Sequence, residues 1–564
     1  MSDSRRRRAL ALRTLAAWTL WSACSPQAPP PLFRDVAAQA GLHFRHDNGM
    51  TGALYLVENL GAGVALVDYD GDGDLDVYLR QGHRLDPSHP APETGGDRLF
   101  RNDLRAAAEG TRRLAFLDVT PSSRLAAYGY GIGVAAGDVD GDGDEDLYLT
   151  DFGPNRLWLN DGDGTFSPAA PDPAVDDPRF STSAALADYD GDGRLDLYVV
   201  DYLDYRLANA RPCLDAAGAP AYCGPQGFGP VPDRLLHNVG DGRFEDVTVA
   251  AGLRSVIGKG LGVASGDFDG DGRLDFYVSN DLMANQLWLQ HADGAFRDEA
   301  VLRGAAVNLL GAPEASMGTV AADLDDDLDE DVFLTHLDGE TNTLYRNRDG
   351  VFEDRSEPSG LGPPSWNRTG FGAVPLDYDL DGLLDLAVVN GSIQLIEEQR
   401  RAGLAHPLRQ AGQLFHNLGE GRFEEVRTGI DDLAAPEVGR GLAVGDLDGD
   451  GDADLVVQNN NGPVRVLVRE GAPAAADWLG ADARPTAVAA GLASRTVDLE
   501  AGGRRQRRRF KTDGSFASAS DPRALFGLGG RRPSALLLAR PERPLRLLDP
   551  RPGRLYVFGP ARAR

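Results

Sequence analysis

Aspartate recurs in this chain at a spacing that suits a hard cation. Seven segments share one nine-residue pattern: Asp, an apolar residue, Asp, any residue, Asp, usually Gly, two variable residues, Asp. They supply Asp68, Asp70, Asp72 and Asp76; Asp138, Asp140, Asp142 and Asp146; Asp188, Asp190, Asp192 and Asp196; and Asp267, Asp269, Asp271 and Asp275. The last three supply Asp323, Asp325, Asp327 and Asp331; Asp377, Asp379, Asp381 and Asp385; and Asp446, Asp448, Asp450 and Asp454. Carboxylates at positions 1, 3 and 5 of a tight turn face one concavity. Glycine at position 6 permits the turn, and the ninth residue closes the cage from the next strand. Position 7 need offer only its carbonyl, which accounts for Asp74, Arg194 and Leu383 there. Calcium accepts about six to eight oxygens in irregular geometry. Magnesium demands a stricter octahedron, and zinc asks for His or Cys, which these loops lack. The pattern therefore predicts calcium, up to seven ions.

The copies are not equal. The fifth has Leu328 where the others have glycine, so its turn is expected to be strained and its site the weakest; the sixth has Leu380 at position 4, which is not a ligand position. A single such loop would read as an Asp-Gly turn without metal. Seven, each with all four aspartates, argue for ions. The turns at Asp161-Gly162-Asp163-Gly164 and Asp241-Gly242 lack the ligand spacing and read as hairpins.

The elements that carry the loops repeat with them. A run of small and apolar residues precedes each loop, as in Gly131 to Gly137. A strand pattern follows, as in Leu147 to Thr150, then a third, as in Asn155 to Asn160, and a fourth, as in Phe244 to Thr248. Four short strands form one antiparallel sheet, and such sheets repeated radially are propeller blades. The expected fold is all-β: a seven-bladed β-propeller over residues 32–470. Its first strands are poor in bulk, which suits crowding at an axis, and position 2 of each loop is expected to turn inward as an anchor. The seventh unit lacks a Phe-x-Asp-Val strand, and Phe33-Arg34-Asp35-Val36 stands unpaired at the start. The N-terminal strand is therefore expected to complete the last blade, closing the ring and removing open sheet edges.

The 564 residues carry a net charge of -29, which excludes nucleic acid as a partner. The seven loops hold 28 of the carboxylates, so the acidity reads as cation sites. At the N-terminus, Arg5 to Arg8 precede a short apolar stretch, giving an export signal over 1–23. Cys24 follows small residues, as in a lipobox, although Trp21 departs from that motif. Lipidation at Cys24 and an incidental cysteine are both open, and a lipid anchor there is the only membrane contact expected. Residues 24–31 form a Pro-rich tether. In an exported chain Cys213 and Cys223 are expected to form a disulfide that staples the insertion Tyr202 to Asp233. The expected location is extracellular, periplasmic or anchored at the cell envelope, as a monomer.

After Glu470 the charge inverts: Arg504, Arg505, Arg507, Arg508, Arg509 and Lys511 cluster in one strand-like stretch. Two readings stand, a solvated β face and a surface that docks on acidic groups, the propeller itself among them.

The repeats resemble FG-GAP/VCBS repeats, as in the propeller of integrin α subunits, on the recurring Gly-Val-Ala-x-Gly-Asp-x-Asp-Gly-Asp-Gly over about residues 33–470. That resemblance implies calcium in the loop between the first two strands of a blade, at the aspartates named above. Gly514-Ser515-Phe516-Ala517-Ser518-Ala519-Ser520-Asp521-Pro522-Arg523 and Phe526-Gly527-Leu528-Gly529 resemble the signature of the ASPIC/UnbV domain, giving a small β domain over 476–560. The pairing is similar to that in bacterial relatives of the cartilage acidic protein family. The function expected is a calcium-binding cell-surface or extracellular module for a protein or glycan ligand. A calcium-dependent polysaccharide lyase and a structural envelope component are the alternatives. An enzyme finds little support: there is no nucleophile elbow or His-Glu-x-x-His motif. His237 and His416 hold equivalent third-strand places, which points to repeat structure rather than catalysis.

Overall fold

The computed structural model describes residues 31–85, 95–106, 112–125, 127–215, 218–404, 407–471, 477–483, 495–539 and 545–558. The expected export signal, Cys24 and the expected tether up to residue 30 lie outside them. Among the described residues no helix is long and apolar enough to cross a membrane.

Seven four-stranded antiparallel sheets each carry one Asp loop between their first two strands. They are numbered here by their loops. The first strands are Val64–Val67, Gly131–Gly137, Ser181–Ala187, Gly260–Gly266, Thr319–Ala322, Gly370–Leu376 and Gly439–Gly445. Their small residues have a physical cause. A Cβ on Gly63, Gly133, Gly262, Gly318, Gly372 or Gly441 would overlap a backbone carbonyl of the following sheet: Ile132, Thr182, Met317, Phe371, Arg440 and Ala62 in turn. At the third sheet Ser183 uses its Oγ to donate to the Leu261 carbonyl at 2.6 Å instead. The last contact runs from the seventh sheet back to the first, so the ring is closed.

The apolar core is divided in the same way. One cluster joins Tyr78 and Leu99 of the first sheet to Leu147 and Trp158 of the second, and another joins Val77 to Val456 of the seventh. Alternation along each strand sends neighbouring side chains to opposite neighbours. Phe33–Asp35 pairs antiparallel with Arg465–Arg469, Phe33 opposite Arg469, and Phe33 is buried between the sixth and seventh sheets. This is the N-terminal closing strand expected from the sequence.

The C-terminal residues form two further sheets. Arg504–Arg509, Thr496–Ala501, Pro533–Leu538 and Leu545–Leu548 make one; Ala524–Gly527, Trp478–Asp482 and Leu555–Val557 make the other. Their core includes Val497, Leu499, Phe526 and Leu536. The arginine stretch is not a solvated face. Arg504 pairs with Asp326, Arg507 donates to the Leu328 carbonyl, Arg509 pairs with Glu330 at 2.6 Å, and Lys511 donates to the Ser265 carbonyl. The docking reading of this segment is the correct one.

Between these sheets, residues 512–521 enter the propeller channel from the loop side. Ser515 exchanges backbone hydrogen bonds with Thr319, and its Oγ donates to the Leu442 carbonyl. Ala517 N–H donates to Ser183 Oγ, and its carbonyl accepts from Val134. Ala519 N–H donates to the Val64 carbonyl. Phe516 is fully buried, 5.0 Å from the Phe371 ring, in a cluster with Tyr130, Phe180, Leu261 and Met317. This one segment thus touches the inner wall of every sheet.

Candidate cation-binding loops

Each Asp loop is built by the same hydrogen bonds. The position 9 carboxylate accepts twice from backbone: Asp146 accepts from Val139 N–H at 2.8 Å and from Asn160 N–H at 2.8 Å. The equivalent pair exists for Asp76, Asp196, Asp275, Asp331, Asp385 and Asp454. The position 5 carboxylate accepts from the N–H of position 7 in all seven, as Asp142 does from Asp144. In six loops the position 1 carboxylate accepts from the glycine N–H at position 6. Position 2 packs inward, buried at Tyr69, Val139, Phe268, Leu324, Tyr378 and Leu447 and partly buried at Tyr189.

The carboxylates so held converge. Asp68, Asp70 and Asp76 offer oxygens within 4.8 Å of one another, as do Asp138, Asp140 and Asp146, and Asp188, Asp190 and Asp192. Burial, and then the neighbouring carboxylates, raise the acids against the usual carboxylate range. Asp146, Asp196, Asp275 and Asp377 are pushed up to about 8, and Asp76, Asp331 and Asp454 well above their ordinary value. One position 1 oxygen, Oδ1 of Asp188, Asp267, Asp377 and Asp446, is buried with no hydrogen-bond partner. Crowded acids with an orphaned inward oxygen fit a divalent cation, which would supply the missing contact and relieve the repulsion.

The fifth loop differs. Leu328 takes φ +78° and Asp326 φ +69°, left-handed values that cost a side chain about 1–2 kcal/mol. Asp323 there accepts from Asp327 N–H instead of from position 6. Arg346, from the third strand, lays its guanidinium on Asp325 and reaches Asp327 at 3.9 Å. A resident positive charge thus sits on the position 3 carboxylate of this loop, with position 5 in reach.

The third strand also carries a contact that spacing alone does not reveal. The residue whose N–H meets position 9 sends its side chain back to the preceding loop. Asn160 Nδ2 donates to the Tyr69 carbonyl, Asn238 to Val139, Gln290 to Tyr189, Asn347 to Phe268, and Asn417 to Leu324. Arg469 Nε donates to the Tyr378 carbonyl, and Asn102 Nδ2 to Leu447, which closes the cycle. One residue earlier stand Arg101, Leu159, His237, Leu289, Arg346, His416 and Val468. His237 Nδ1 lies 3.0 Å from Asp196 Oδ1 and 3.4 Å from Asp190 Oδ2; His416 Nδ1 lies 3.2 Å from Asp385 and 3.6 Å from Asp379. The hydrogen bond to Asp385 raises His416 to about 9. These two histidines belong to the loops, a role the sequence reading passed over. Their shared third-strand position was the available signal.

Cys213 and Cys223 are bonded, with Cα atoms 5.2 Å apart, in the insertion after Asp196–Asp201. The insertion leaves that strand at the end opposite the Asp loop. Tyr202 and Tyr205 pack with Phe180 and Phe228 around the tip of the channel segment.

Residues 138–199, 224–278, 267–334, 323–388 and 405–457 match the FG-GAP-like repeat family. Cartilage acidic protein 1 of Mus musculus and of Homo sapiens is each 29% identical to this chain over 201 residues, 34% of the chain and 29% of the relative. The chain thus spans under a third of the length of those relatives. Similar solved structures include an Agrocybe aegerita lectin that recognises non-reducing terminal N-acetylglucosamine, at 17% identity over 66% of this chain and 82% of that one, TM-score 0.39. Another is the rhamnogalacturonan lyase YesW, at 14% identity over 72% and 71%, TM-score 0.35. On its matched repeats and its closed ring of four-stranded sheets, the chain is an FG-GAP-like repeat β-propeller protein, related to cartilage acidic protein 1.

Proposed function

We propose that this protein is an exported, calcium-stabilised propeller that binds a protein or glycan through the face opposite its Asp loops. The observation that carries the calcium reading is the orphaned, buried Oδ1 at position 1 of four loops, set among converging carboxylates. Asp138 and its six equivalents at position 1, with positions 3, 5 and 9, would hold the ion. The ion would supply positive charge that binds the ends of two strands together. The recognition reading is supported by topology. The loop side is occupied by the C-terminal sheets, while the stapled insertion stands on the other side with Leu214 exposed.

Removing calcium should lower the thermal midpoint, and millimolar calcium should restore it. Saturation at about 100 times Kd stabilises by about 2.7 kcal/mol per site. Purified protein that contains no calcium and melts identically with and without chelator would end the calcium reading. For recognition, Leu214→Asp should abolish capture of a glycan or a cell-surface protein by the native protein while leaving the melt unchanged. Binding indifferent to the insertion would reject that face.

A further inference from the structure

The residue that precedes the inter-sheet tether decides what each loop meets: an arginine in the first and fifth, an aliphatic chain in the second, fourth and seventh, an imidazole in the third and sixth. The two histidines are placed alike although their loops are independent. Each points Nδ1 at the position 3 and position 9 carboxylates, and each forms a group with both acids in which all donor atoms lie within 4.8 Å. In both loops the position 1 acid is more than nine-tenths buried, at 6% exposure for Asp188 and 7% for Asp377, and keeps an Oδ1 with no partner. Asp188 also offers an oxygen within 4.8 Å of those of Asp190 and Asp192, so this acid belongs with the carboxylates that His237 joins. An imidazole nitrogen is a poor donor for calcium and a good one for borderline first-row ions. With one nitrogen among several carboxylates the set stays rich in hard oxygen, which among those ions suits Mn2+.

We propose that the third and sixth loops are mixed nitrogen–oxygen sites for a first-row divalent ion, Mn2+ by donor set, with His237 and His416 as ligands beside Asp188, Asp190, Asp196 and Asp377, Asp379, Asp385. The inference rests on the reading of the loops as cation sites and divides them into two classes. The rival role for the same histidines is that of a built-in counter-charge, like Arg346 in the fifth loop, and it predicts the opposite result on removal.

Equilibrium dialysis against Mn2+ in excess calcium, with metal content measured, should give two retained Mn2+ per native chain. His237→Leu and His416→Leu install the side-chain type that Leu159 and Leu289 already place at this position. Each should remove one Mn2+ and weaken its binding at least about tenfold, with the calcium content of the other loops unchanged. Pulsed electron spin resonance of Mn2+ on the unaltered protein gives a readout that needs no variant: it should show 14N coupling from imidazole. Unchanged or tighter Mn2+ binding in the variants, or no 14N coupling, overturns the inference and leaves the calcium reading standing. Failure of both calcium and Mn2+ to bind any loop overturns both.

Discussion

At the residue scale the fifth loop departs most from its siblings, and it departs twice. Leu328 holds a left-handed φ of +78°. Leu328→Gly should therefore stabilise the protein by about 0.5 kcal/mol, the relief of strain less the extra chain entropy of glycine, read as a higher urea midpoint. Arg346 answers the charge of Asp325 and Asp327, so Arg346→Leu should raise the calcium content by one ion per chain; an unchanged count would mean that the strained turn, not the arginine, sets occupancy. Two buried histidines outside the loops weaken the fold in acid, opposite in sign to the raised loop carboxylates of the metal-free protein. Burial lowers His336 to about 3, and burial with the Arg440 charge lowers His46 to about 3. Between about pH 6.5 and pH 3 the unfolded chain takes up two protons that the folded one refuses. Each histidine's contribution to stability therefore falls by about 1.4 kcal/mol for every unit that the pH is lowered in this range. His336→Gln should flatten the difference in denaturation midpoint between pH 7 and pH 5; parallel curves would refute it. The Asp cages themselves were legible because ligand spacing is local. The imidazoles and Arg346 were not, because they reach their loops from more than 15 residues away in sequence, across a strand pairing that spacing does not encode.

At the scale of elements, each sheet is joined to the one before it by a polar side chain on its third strand. Asn160→Ala removes the bonds to the Tyr69 and Glu145 carbonyls and leaves both acceptors buried. A loss of about 1–3 kcal/mol is expected, together with weaker metal binding at the first loop, whose position 2 that amide fixes. Unaltered calcium affinity would show that the tether only packs sheets. The four-strand rhythm, the crowded first strands and the closing role of Phe33–Asp35 could be read from the sequence, since glycine placement and a missing fourth strand leave plain marks. The arginine strand could not. Six basic residues look alike whether they meet water or a carboxylate, and only the fold brings Glu330 and Asp326 beneath them.

At the scale of the whole molecule, the segment 512–521 ties propeller and C-terminal sheets together, so the two are expected to unfold as one cooperative body. Phe516→Ala should cost about 3–5 kcal/mol and split a single calorimetric transition into two; one transition at an unchanged midpoint would sink that view. Arg509→Gln leaves Glu330, 4% exposed, with only the Asp267 N–H and the Lys511 charge to answer it, and a loss of up to about 3 kcal/mol should follow. The pairing of Phe33–Asp35 with Arg465–Arg469 has a consequence in time. During synthesis the first strand emerges more than 400 residues before its partner and waits with its hydrogen-bonding edge uncovered. Until the seventh sheet arrives, the ring is an open arc with two sticky ends, which invites a holding chaperone or delivery of the chain unfolded to its destination. Closure is therefore a late event. A chain stopped short of residue 465 would keep both ends exposed and aggregate, however many of its loops were intact.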